Sequence, residues 1–564
     1  MESGYLHTPM IKVHTIMDNT RYHLHTPRLS HLFVLGLLIF AHPAYSDYIP
    51  PLGVPAPDFG IDNVAPALPT NWGSNQDGFY YVRSGGGNSG NGYPDDPRST
   101  IPDPIPAGSV VVIEGTYTTK HESNPLTANG TSDQPVYIRG IDEANHAVLK
   151  QKIVVEGSYY VIEYVDGQWD NSSYNGKLHL SGDHGVVRFG DFRGDTNRCV
   201  GGVHINSGSS YHVLFRNNIH HAGDANATYD QDCHGTSIGR NINNIWILEN
   251  EYSYNSGDGI QINAGSAGND STHHIYVGKN VSHHNKQTGM WTKQARDIIF
   301  SENDIYGHVR SDSSGGSGTG FQYGPDYVWF IFNHIHDNES GIMLASDSGG
   351  TGRDHFIIGN EIYNIHKQGA YDVNNSWESA AIGVWGSTNT YIVGNTIWNV
   401  DAGINSPRGR GKIDIINNII DAPSVDGANH IYFYMDLIDT SRVDHNVFLN
   451  AVKLRLGSST QIDLDGLQSI HNQGQNSYAV DDLPFTSSQD GDFIPASTSA
   501  AAQNGDNALE AYQIFQNRYG IDILKDITGA PRIADGVVEI GAYEISGTTS
   551  PALAPPSAPV LVAD

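Results

Sequence analysis

Short stretches of alternating apolar and polar residues run through most of the chain, and each is followed by an asparagine and a second short apolar stretch. The segments "IWILENEYSYNSGDGIQIN" from Ile245 and "IYVGKNVSHHNKQTGMWTK" from Ile275 show the pattern. Alternation with a period of two is typical of β-strands, and no helical periodicity lies between these stretches. The pattern therefore predicts two or three short strands in each unit.

The unit repeats, and nine asparagines mark equivalent positions at spacings of 23 to 35 residues. A period in this range, built from strands, indicates a β-solenoid in which each strand pairs in parallel with its successor at about 4.8 Å. Identical asparagines at one corner would form a hydrogen-bonded ladder that satisfies buried turn amides. The nine are Asn218, Asn250, Asn280, Asn303, Asn333, Asn360, Asn395, Asn418 and Asn446.

The chain resembles the secreted right-handed parallel β-helix proteins that act on carbohydrates, and among them the pectate-lyase-like polysaccharide lyases. The asparagine ladder carries this resemblance, together with "PVYIRG" (135–140), "KIVVEGSYYVIEYV" (152–165) and the opening "GFYYVRSGGGNSGNGYPDDP". The similarity covers about residues 78–460 and implies an all-β protein with a single right-handed parallel β-helix. Residues 461–546 resemble the C-terminal segment that closes many such helices, whose last coil is otherwise an open sheet edge.

The two ends of the chain differ from the repeat in composition. Residues 32–41, "LFVLGLLIFA", are too few to span a bilayer but fit the apolar centre of a signal peptide cleaved after Ser46, with Met17 as an alternative start. We therefore expect a signal peptide at 1–46, a Pro-rich lead-in at 47–77 and a disordered tail at 547–564. The mature protein should be a monomer secreted by a bacterium, without a membrane span.

Charge and cysteine content narrow the partners and the compartment. The formal net charge of −30, from 61 acidic and 31 basic residues, argues against nucleic acid, whose binding needs a basic surface. The acidity fits simple solubility or cation binding. Export permits a disulfide between Cys199 and Cys233. Their separation of 34 residues, close to one repeat, predicts a bridge between neighbouring coils, with two separate thiols as the alternative.

Most units contain a further strand that begins with glycine: Gly202, Gly235, Gly259, Gly289, Gly320 and Gly341. With these glycines aligned, the second and fourth positions are mostly bulky and apolar, Phe321 and Tyr323 among them, and are predicted to fill the core. The third and fifth positions then face outward. One outward row reads His204, Ser237, Gln261, Trp291 and Gln322, and the next reads Asn206, Gly239, Asn263, Lys293 and Gly324.

This outward wall is a candidate polysaccharide site. Four coils span roughly 15–20 Å, which suits several sugar rings. An indole ring can stack on a sugar, and amides can bind its hydroxyl groups. We predict that Trp291, Gln261, Asn263 and Gln322 bind substrate, with an ordinary solvated sheet face as the alternative.

The resemblance implies two main classes of reaction. A lyase breaks a 4-O-linked uronate by β-elimination with a lysine or arginine base and often calcium, whereas a hydrolase needs two carboxylates. On the lyase interpretation Lys293 is the base, although a plain surface lysine also fits. His204 and His234 could act as acid or base, and Arg310 and Arg353 could pair with substrate carboxylates.

Four aspartates, Asp224, Asp230, Asp232 and Asp258, come from related positions on adjacent coils and could share a calcium ion. A hydrolase would instead use the last three as its carboxylates, but the central coils lack the paired-aspartate patterns of polygalacturonase-like hydrolases. A uronate epimerase shares the chemistry of a lyase, and a carbohydrate-binding adhesin is the non-enzymatic alternative. We therefore expect a secreted lyase whose partner is a uronate-containing polysaccharide and whose cofactor is Ca²⁺.

Overall fold

Successive strands of the chain wind around one apolar core. The computed structural model describes residues 48–545 apart from 74–75, 170–175, 230, 313, 346–351, 369–378, 408–410, 422, 435–436, 458, 488–491, 508–509 and 534–535. Within this part, 41 strands form a 27-stranded and a 14-stranded sheet, and the pairing is parallel along both except for one antiparallel pair at the end of the larger sheet. The predicted right-handed parallel β-helix is confirmed.

The strands lie on three faces, which we call sheets 1, 2 and 3. Sheet 1 holds the glycine-led strands, sheet 2 the strands that precede the ladder asparagine, and sheet 3 the strands that follow it. Strand β7 (Ile153–Glu163) pairs with strands of both sheet 1 and sheet 2, so hydrogen bonding joins these two faces into the 27-stranded sheet.

Besides β7, the strands of sheet 1 are β4 (His121–Asn129), β9 (Leu178–Leu180), β12 (Val203–Ile205), β15 (Thr236–Ile238), β18 (Ile260–Asn263), β21 (Met290–Lys293), β24 (Ser317–Gln322), β27 (Ser340–Leu344), β30 (Ile382–Val384), β33 (Ile404–Ser406), β36 (Ile431–Phe433), β39 (Leu454–Leu456) and the antiparallel β40 (Thr460–Ile462). Sheet 2 contains β1 (Phe79–Arg83), β2 (Val110–Glu114), β5 (Val136–Arg139), β10 (Asp183–Arg188), β13 (Ser210–Phe215), β16 (Asn243–Leu248), β19 (His273–Gly278), β22 (Arg296–Ser301), β25 (Asp326–Ile331), β28 (His355–Ile358), β31 (Asn389–Val393), β34 (Lys412–Ile416) and β37 (Val443–Asp444).

Sheet 3 is the 14-stranded sheet. Its strands are β3 (Thr116–Tyr117), β6 (Ala147–Leu149), β8 (Val165–Gln168), β11 (Asp191–Arg193), β14 (Asn218–His220), β17 (Glu251–Ser253), β20 (Val281–His283), β23 (Asp304–Tyr306), β26 (His334–His336), β29 (Glu361–Ile365), β32 (Thr396–Val400), β35 (Ile419–Ile420), β38 (Val447–Leu449) and β41 (Tyr478–Val480). The described helices are α1 (Leu437–Thr440), α2 (Leu464–His471) and α3 (Glu510–Tyr519), with single 3₁₀ turns at Gly265–Ala267 and Asn269–Ser271.

Inward-pointing side chains of the three sheets form one core along the axis. On sheet 2, Ile245, Ile275, Ile298 and Val328 lie in register on four successive coils, and all four are fully buried. Burying one such side chain contributes roughly 1.5–3 kcal/mol, so these columns are a main source of stability.

The asparagine ladder runs along the corner between sheets 2 and 3. Nδ2 of Asn250 donates to Oδ1 of Asn280 at 3.1 Å, and Nδ2 of Asn280 donates to Oδ1 of Asn303 at 3.0 Å. Each of these oxygens also accepts the backbone N–H of the preceding asparagine. The same pattern continues to Asn446. The predicted ladder is confirmed in these eight positions.

The first residue of the asparagine ladder is Asn217, one position before the predicted Asn218. Asn217 donates through Nδ2 to Oδ1 of Asn250 at 2.9 Å and is buried. Asn218 instead begins β14 and donates to Asp191 at 3.0 Å.

A second ladder, absent from the sequence predictions, occupies the corner between sheets 3 and 1. Nδ2 of Asn255 donates to Oδ1 of Asn285 at 2.9 Å. His308 holds the equivalent place one coil later, and Asn338 follows it. Both corners are thus lined by side chains that bond the turn amides of the neighbouring coil.

The prediction for the glycine-led strands is wrong by two residues at one coil. Backbone pairing aligns Met290 with Thr319, so Gly318, not Gly320, corresponds to Gly289. Thr319 and Phe321 are therefore the buried pair. Tyr323 is only half-buried, at a positive φ of 61°, rather than in the core.

The segment after the last coil does more than close its end. Leu467 of α2 is buried in the axial core, and Asp463 caps this helix by accepting the N–H of Gly466 at 2.8 Å. The chain then returns along the outside of sheet 2, where Phe515 of α3 packs edge-on against Trp329 with ring centroids 4.7 Å apart. The Pro-rich lead-in covers the same face, with Trp246 donating to the carbonyl of Pro55 at 2.7 Å.

The predicted disulfide between Cys199 and Cys233 is present, with Cα atoms 5.4 Å apart. In the part of the chain that the structure describes, every helix is too short or too polar to cross a membrane. The predicted signal peptide at 1–46 and the tail at 547–564 lie outside the described residues.

Candidate functional site

Two polar rows run along the outer face of sheet 1. Backbone pairing sets Gln261 beside Trp291, and Asn263 beside Lys293, on β18 and β21. Gln322 on β24 lies beside Lys293 rather than beside Trp291. Four of the predicted binding residues and the predicted base are therefore neighbours on three strands.

Glycine begins most strands of this sheet because the next coil passes close to it. A Cβ atom at Gly259 would lie 2.6 Å from the carbonyl oxygen of Gly289, and one at Gly289 would lie 2.5 Å from that of Gly318. A side chain here would push the coils apart. The glycines therefore leave a strip of bare backbone next to the polar rows.

Trp291 lies along the sheet instead of projecting from it. Its side chain packs against Met343 and Ala345 two coils further on, and the residue is only 7% exposed. A Cβ atom at Gly320 would lie 2.7 Å from the indole ring, so this glycine makes room for it. Nε1 donates to Oε1 of Gln322 at 3.3 Å. The indole thus supports Gln322 and offers a sugar only a small surface.

Asp258 is the centre of a buried polar network at the start of β18. Its Oδ2 accepts from Nε2 of Gln261 at 2.8 Å, and its Oδ1 accepts from the hydroxyl of Thr288 at 2.5 Å. Nδ2 of Asn263 donates to Oε1 of Gln261 at 3.3 Å. The carboxylate, 2% exposed, therefore orients the two amides that the sequence predicted as substrate ligands.

His234 joins this network from the preceding turn. Its Nδ1 accepts the backbone N–H of Asp258 at 2.9 Å, and its Nε2 lies 3.3 Å from Oδ1 of Asp232. With Nδ1 as acceptor, Nε2 carries the proton and donates to Asp232. The imidazole therefore connects the buried Asp258 to the exposed Asp232 carboxylate at the edge of sheet 1.

Lys293 is half-buried at the other edge of the same sheet. Among the described residues, no carboxylate lies within 4.0 Å of its Nζ. Its neighbours on the adjacent strands are the amides Asn263 and Gln322. The ammonium thus faces an uncharged polar surface.

The two predicted arginines lie apart from these rows. Arg310 lies on the turn before β24, where Nε is 3.9 Å from Glu339 and the backbone N–H donates to the same carboxylate at 2.7 Å. Arg353 pairs with Asp326 at 3.4 Å at the corner between sheets 1 and 2. Both cations therefore already have a carboxylate partner.

His204 lies in the outer row, but its ring is fully used by its own chain. Nε2 donates to the carbonyl of Gly201 at 3.0 Å, and Nδ1 accepts from the hydroxyl of Ser237 at 2.8 Å. Burial holds the pKa of His204 well below its usual range. A neutral imidazole that makes two hydrogen bonds within its own chain holds neighbouring strands in place.

Lys177 and His179 extend the site by one coil, and the sequence analysis missed them. His179 pairs with His204 across β9 and β12, with ring centroids 5.1 Å apart. Burial, and then the charge of Lys152, lowers the pKa of Lys177. The strand-leading lysines in "QKIVV" and "GKLHL", 25 residues apart, were the available signal.

The described members of the predicted calcium site are not grouped as metal ligands. Both oxygens of Asp258 are taken by Gln261 and Thr288, and Asp224 accepts the N–H of Asn226 at 2.9 Å within its own turn. In the described ranges, no three His, Cys, Asp or Glu side chains are grouped to hold a metal. Asp230 lies outside those ranges, so calcium stays a prediction and no reaction step is assigned to it.

No protein-family model and no curated protein matches the chain. Several solved structures are similar to the chain. The Dettilon tailspike protein matches at 11% identity and a TM-score of 0.33, over 61% of this chain and 62% of its own. Pectate lyase Pel9A matches at 14% identity and 0.34, over 83% and 96%. The A-module of the Azotobacter vinelandii mannuronan C-5 epimerase AlgE4 matches at 16% identity and 0.33, over 66% and 91%.

The chain is similar to these proteins in its β-helix, and it spans less than two thirds of the tailspike. At these identities the likeness concerns the fold alone. The function is argued below from the side chains of sheet 1.

Proposed function

We propose that the protein is an enzyme that cleaves a uronate-containing polysaccharide by β-elimination on the outer face of sheet 1. Lys293 carries the proposal, because among the described residues it is a cation on this face with no carboxylate partner. The protein has 61 acidic and 31 basic residues, so a lysine left unpaired between amides suits an anionic ligand.

In β-elimination a base removes the C5 proton of the uronate, the C4–O4 bond breaks, a C4–C5 double bond forms, and O4 takes up a proton. Lys293 gives up its ammonium proton to solvent and then accepts the C5 proton through Nζ. The ammonium formed in this step donates a proton to O4 as the C4–O4 bond breaks.

Negative charge develops on the uronate carboxylate as the C5 proton leaves. Asn263 and Gln322 lie on the strands to either side of Lys293, where their amide N–H groups donate to that carboxylate. Asn263 is held by Gln261 and, through it, by Asp258. Gln322 is held by the indole N–H of Trp291. The network therefore sets both donors in place before substrate binds.

The alternative of a hydrolase with paired aspartates has less support. Asp258 accepts hydrogen bonds on both oxygens and is almost fully buried, so it is an orienting group rather than a proton donor. Elimination needs one base and a set of neutral donors, which these strands provide.

The proposal is tested by incubating the purified protein with pectate, alginate and glycosaminoglycan, each with and without a chelator. We expect absorbance near 230 nm to rise with at least one polymer, because elimination creates a conjugated double bond. New reducing ends without this absorbance would establish hydrolysis, and C5 inversion without new ends would establish epimerisation. Binding without any turnover would support the adhesin alternative.

A further inference from the structure

Adjacent histidines occur at three corners of the described chain, and within each pair the Nδ1 atoms face one another. The second residue of each pair has a positive φ of 53–57°, which brings its side chain to the same side as that of its neighbour. The Nδ1–Nδ1 distance is 2.5 Å for His220–His221, 2.7 Å for His273–His274 and 2.9 Å for His283–His284.

Two of these pairs, both on sheet 3, have a carboxylate behind the first ring. Nε2 of His220 donates to Oδ1 of Asp191 at 2.9 Å, and Nε2 of His283 donates to Oε1 of Glu251 at 3.1 Å. A neutral imidazole that donates through Nε2 carries its lone pair on Nδ1. This arrangement, a carboxylate behind a histidine, is the one that orients histidine ligands of metal ions.

Tyr254 lies between the two pairs. Its ring stacks on His221 and on His284, with centroids 5.3 Å away in both cases. The stack fixes the second ring of each pair, so both rings are oriented before an ion arrives.

We propose that His283–His284 and His220–His221 each bind a divalent copper ion through their two Nδ1 atoms, with water completing the coordination. When copper binds, the proton that lies between the two Nδ1 atoms moves through solvent to Nε2 of the second ring, so both rings stay neutral and both Nδ1 lone pairs face the metal. The imidazoles lie on the outside of sheet 3, away from the outer face of sheet 1, and His284 is exposed to solvent.

The usual order of affinities among divalent metals favours copper over zinc, since Cu²⁺ binds nitrogen ligands more tightly than the other first-row ions. The Nδ1–Nδ1 separations are those of hydrogen-bonded nitrogens and show only that the two rings of each pair are neighbours. The net charge of −30 adds a general attraction for cations.

The third pair is a natural comparison. His273 and His274 have the same Nδ1 contact, but in the described ranges neither ring has a carboxylate within 4.0 Å. Burial, the partner ring and then Arg296 lower the pKa of His273, so a cation already lies close to it. We expect this pair to bind copper at least tenfold more weakly than the other two.

The test uses the full chain without a histidine tag, stripped with a chelator and titrated with Cu²⁺ at pH 7.5 by calorimetry and electron paramagnetic resonance. We expect two tight equivalents with nitrogen hyperfine structure. His221→Asn and His284→Asn should each remove one equivalent, and the double variant should remove both. Asparagine tolerates the positive φ at these corners, which preserves the backbone. His274→Asn, also at a positive φ but at the start of β19 on sheet 2, is the matched control and should leave both equivalents.

A variant that leaves the imidazoles in place gives an independent check. Glu251→Gln should weaken the His283–His284 site by 10- to 100-fold, since it removes the orienting carboxylate. The proposal fails if the wild type binds no Cu²⁺ below about 100 µM, if the double variant binds as the wild type does, or if His274→Asn removes as much binding as His284→Asn.

Discussion

Nδ1 of His308 lies 3.0 Å from Oδ1 of Asn338, in a ladder whose two preceding positions are occupied by asparagine. The backbone N–H of His308 donates to the same oxygen at 2.9 Å. An imidazole therefore takes the place of an amide inside a fully buried corner. Burial lowers the pKa of His308 to about 3.

The presence of histidine at this ladder position predicts that the native protein loses stability in acid. The unfolded chain binds a proton at His308 below about pH 6.5, whereas the folded chain stays neutral down to about pH 3. The folded state is therefore penalised progressively as the pH falls through that window. His308→Asn removes the titrating group and keeps the ladder. The free energy of unfolding of the variant, minus that of the wild type, should therefore rise by about 2–3 kcal/mol when the pH is lowered from 7.5 to 4.5.

The measurement is urea unfolding of both proteins at the two pH values, followed by circular dichroism. The other buried histidines are the same in both chains, so their effects cancel in the difference. A gap between variant and wild type that does not change with pH would contradict the prediction.

Asn217 and Asn218 offer a matched pair for the main ladder. Asn217→Ala leaves the N–H of Gly190 and the carbonyl of Val187 without their partner, in a buried corner. Each unpaired group costs about 1–3 kcal/mol, so we expect the two together to cost about 2–6 kcal/mol. Asn218→Ala removes only a contact with Asp191 at the surface and should change stability by less than about 0.5 kcal/mol. Equal losses in thermal unfolding would show that the ladder does not stabilise the helix as described.

The sequence predicted the repeat because its period and alternation are local properties, but it left the register uncertain by one or two residues. "NN" at 217–218 gives two candidates for one rung, and "GGSGTG" at 315–320 gives several glycines that could lead β24. Only pairing with the neighbouring coils decides between them. A shift of one residue reverses which side chains face the core, which is why such ambiguity matters in strands.

The sequence predicted only part of the candidate site, because alternation is a local property and some contacts of the site are made between coils. Alternation indicated that Gln261, Asn263 and Lys293 face outward, and they do. It could not show that Trp291 lies flat against Met343, because that contact depends on the small residue at Gly320 one coil away. The packing of α3 on sheet 2 joins residues about 190 positions apart, beyond the range of any local pattern.

Lys293 and Lys177 are expected to contribute differently to the proposed reaction. Lys293→Ala should lower kcat by at least 10³-fold with an intact fold, because it removes the base. Lys177→Ala should mainly raise KM, by about tenfold, because this lysine lies on β9's edge, four strands or about 19 Å from Lys293. Kinetics on whichever polymer of the panel the wild-type protein cleaves separate the two effects.

Lys279→Ala is the control for those variants. Lys279 pairs with Glu302 at 3.4 Å at the corner between sheets 2 and 3, away from the outer face of sheet 1. It should leave both kinetic constants unchanged. Full activity in Lys293→Ala would remove this residue from the mechanism.

Asp297 anchors α3 to the β-helix. Its buried carboxylate accepts from Arg518 and from the hydroxyl of Tyr519 through Oδ1, the latter at 2.9 Å, and from Arg296 through Oδ2. Burial raises the pKa of Asp297, but the hydrogen bond and charge of Arg518 outweigh it and hold the pKa below its usual value. The stabilisation is therefore complete above about pH 4 and is lost as the pH falls through the lower folded pKa. Asp297→Asn should cost about 3 kcal/mol at pH 7, because it leaves Arg518 without its partner.

The cost of Asp297→Asn should begin to shrink as the pH falls below about 4, because the unfolded wild-type chain takes up a proton at Asp297 at a higher pH than the folded chain does. Chemical unfolding of both chains across this range measures the change. Asn tolerates the positive φ of 56° at this position, so the backbone is not disturbed. Asp270→Asn is the control, since Asp270 also pairs with an arginine, Arg296, but is 97% exposed and should have no measurable effect. A cost that stays constant down to pH 3 would mean that the ion pair does not hold α3 in place.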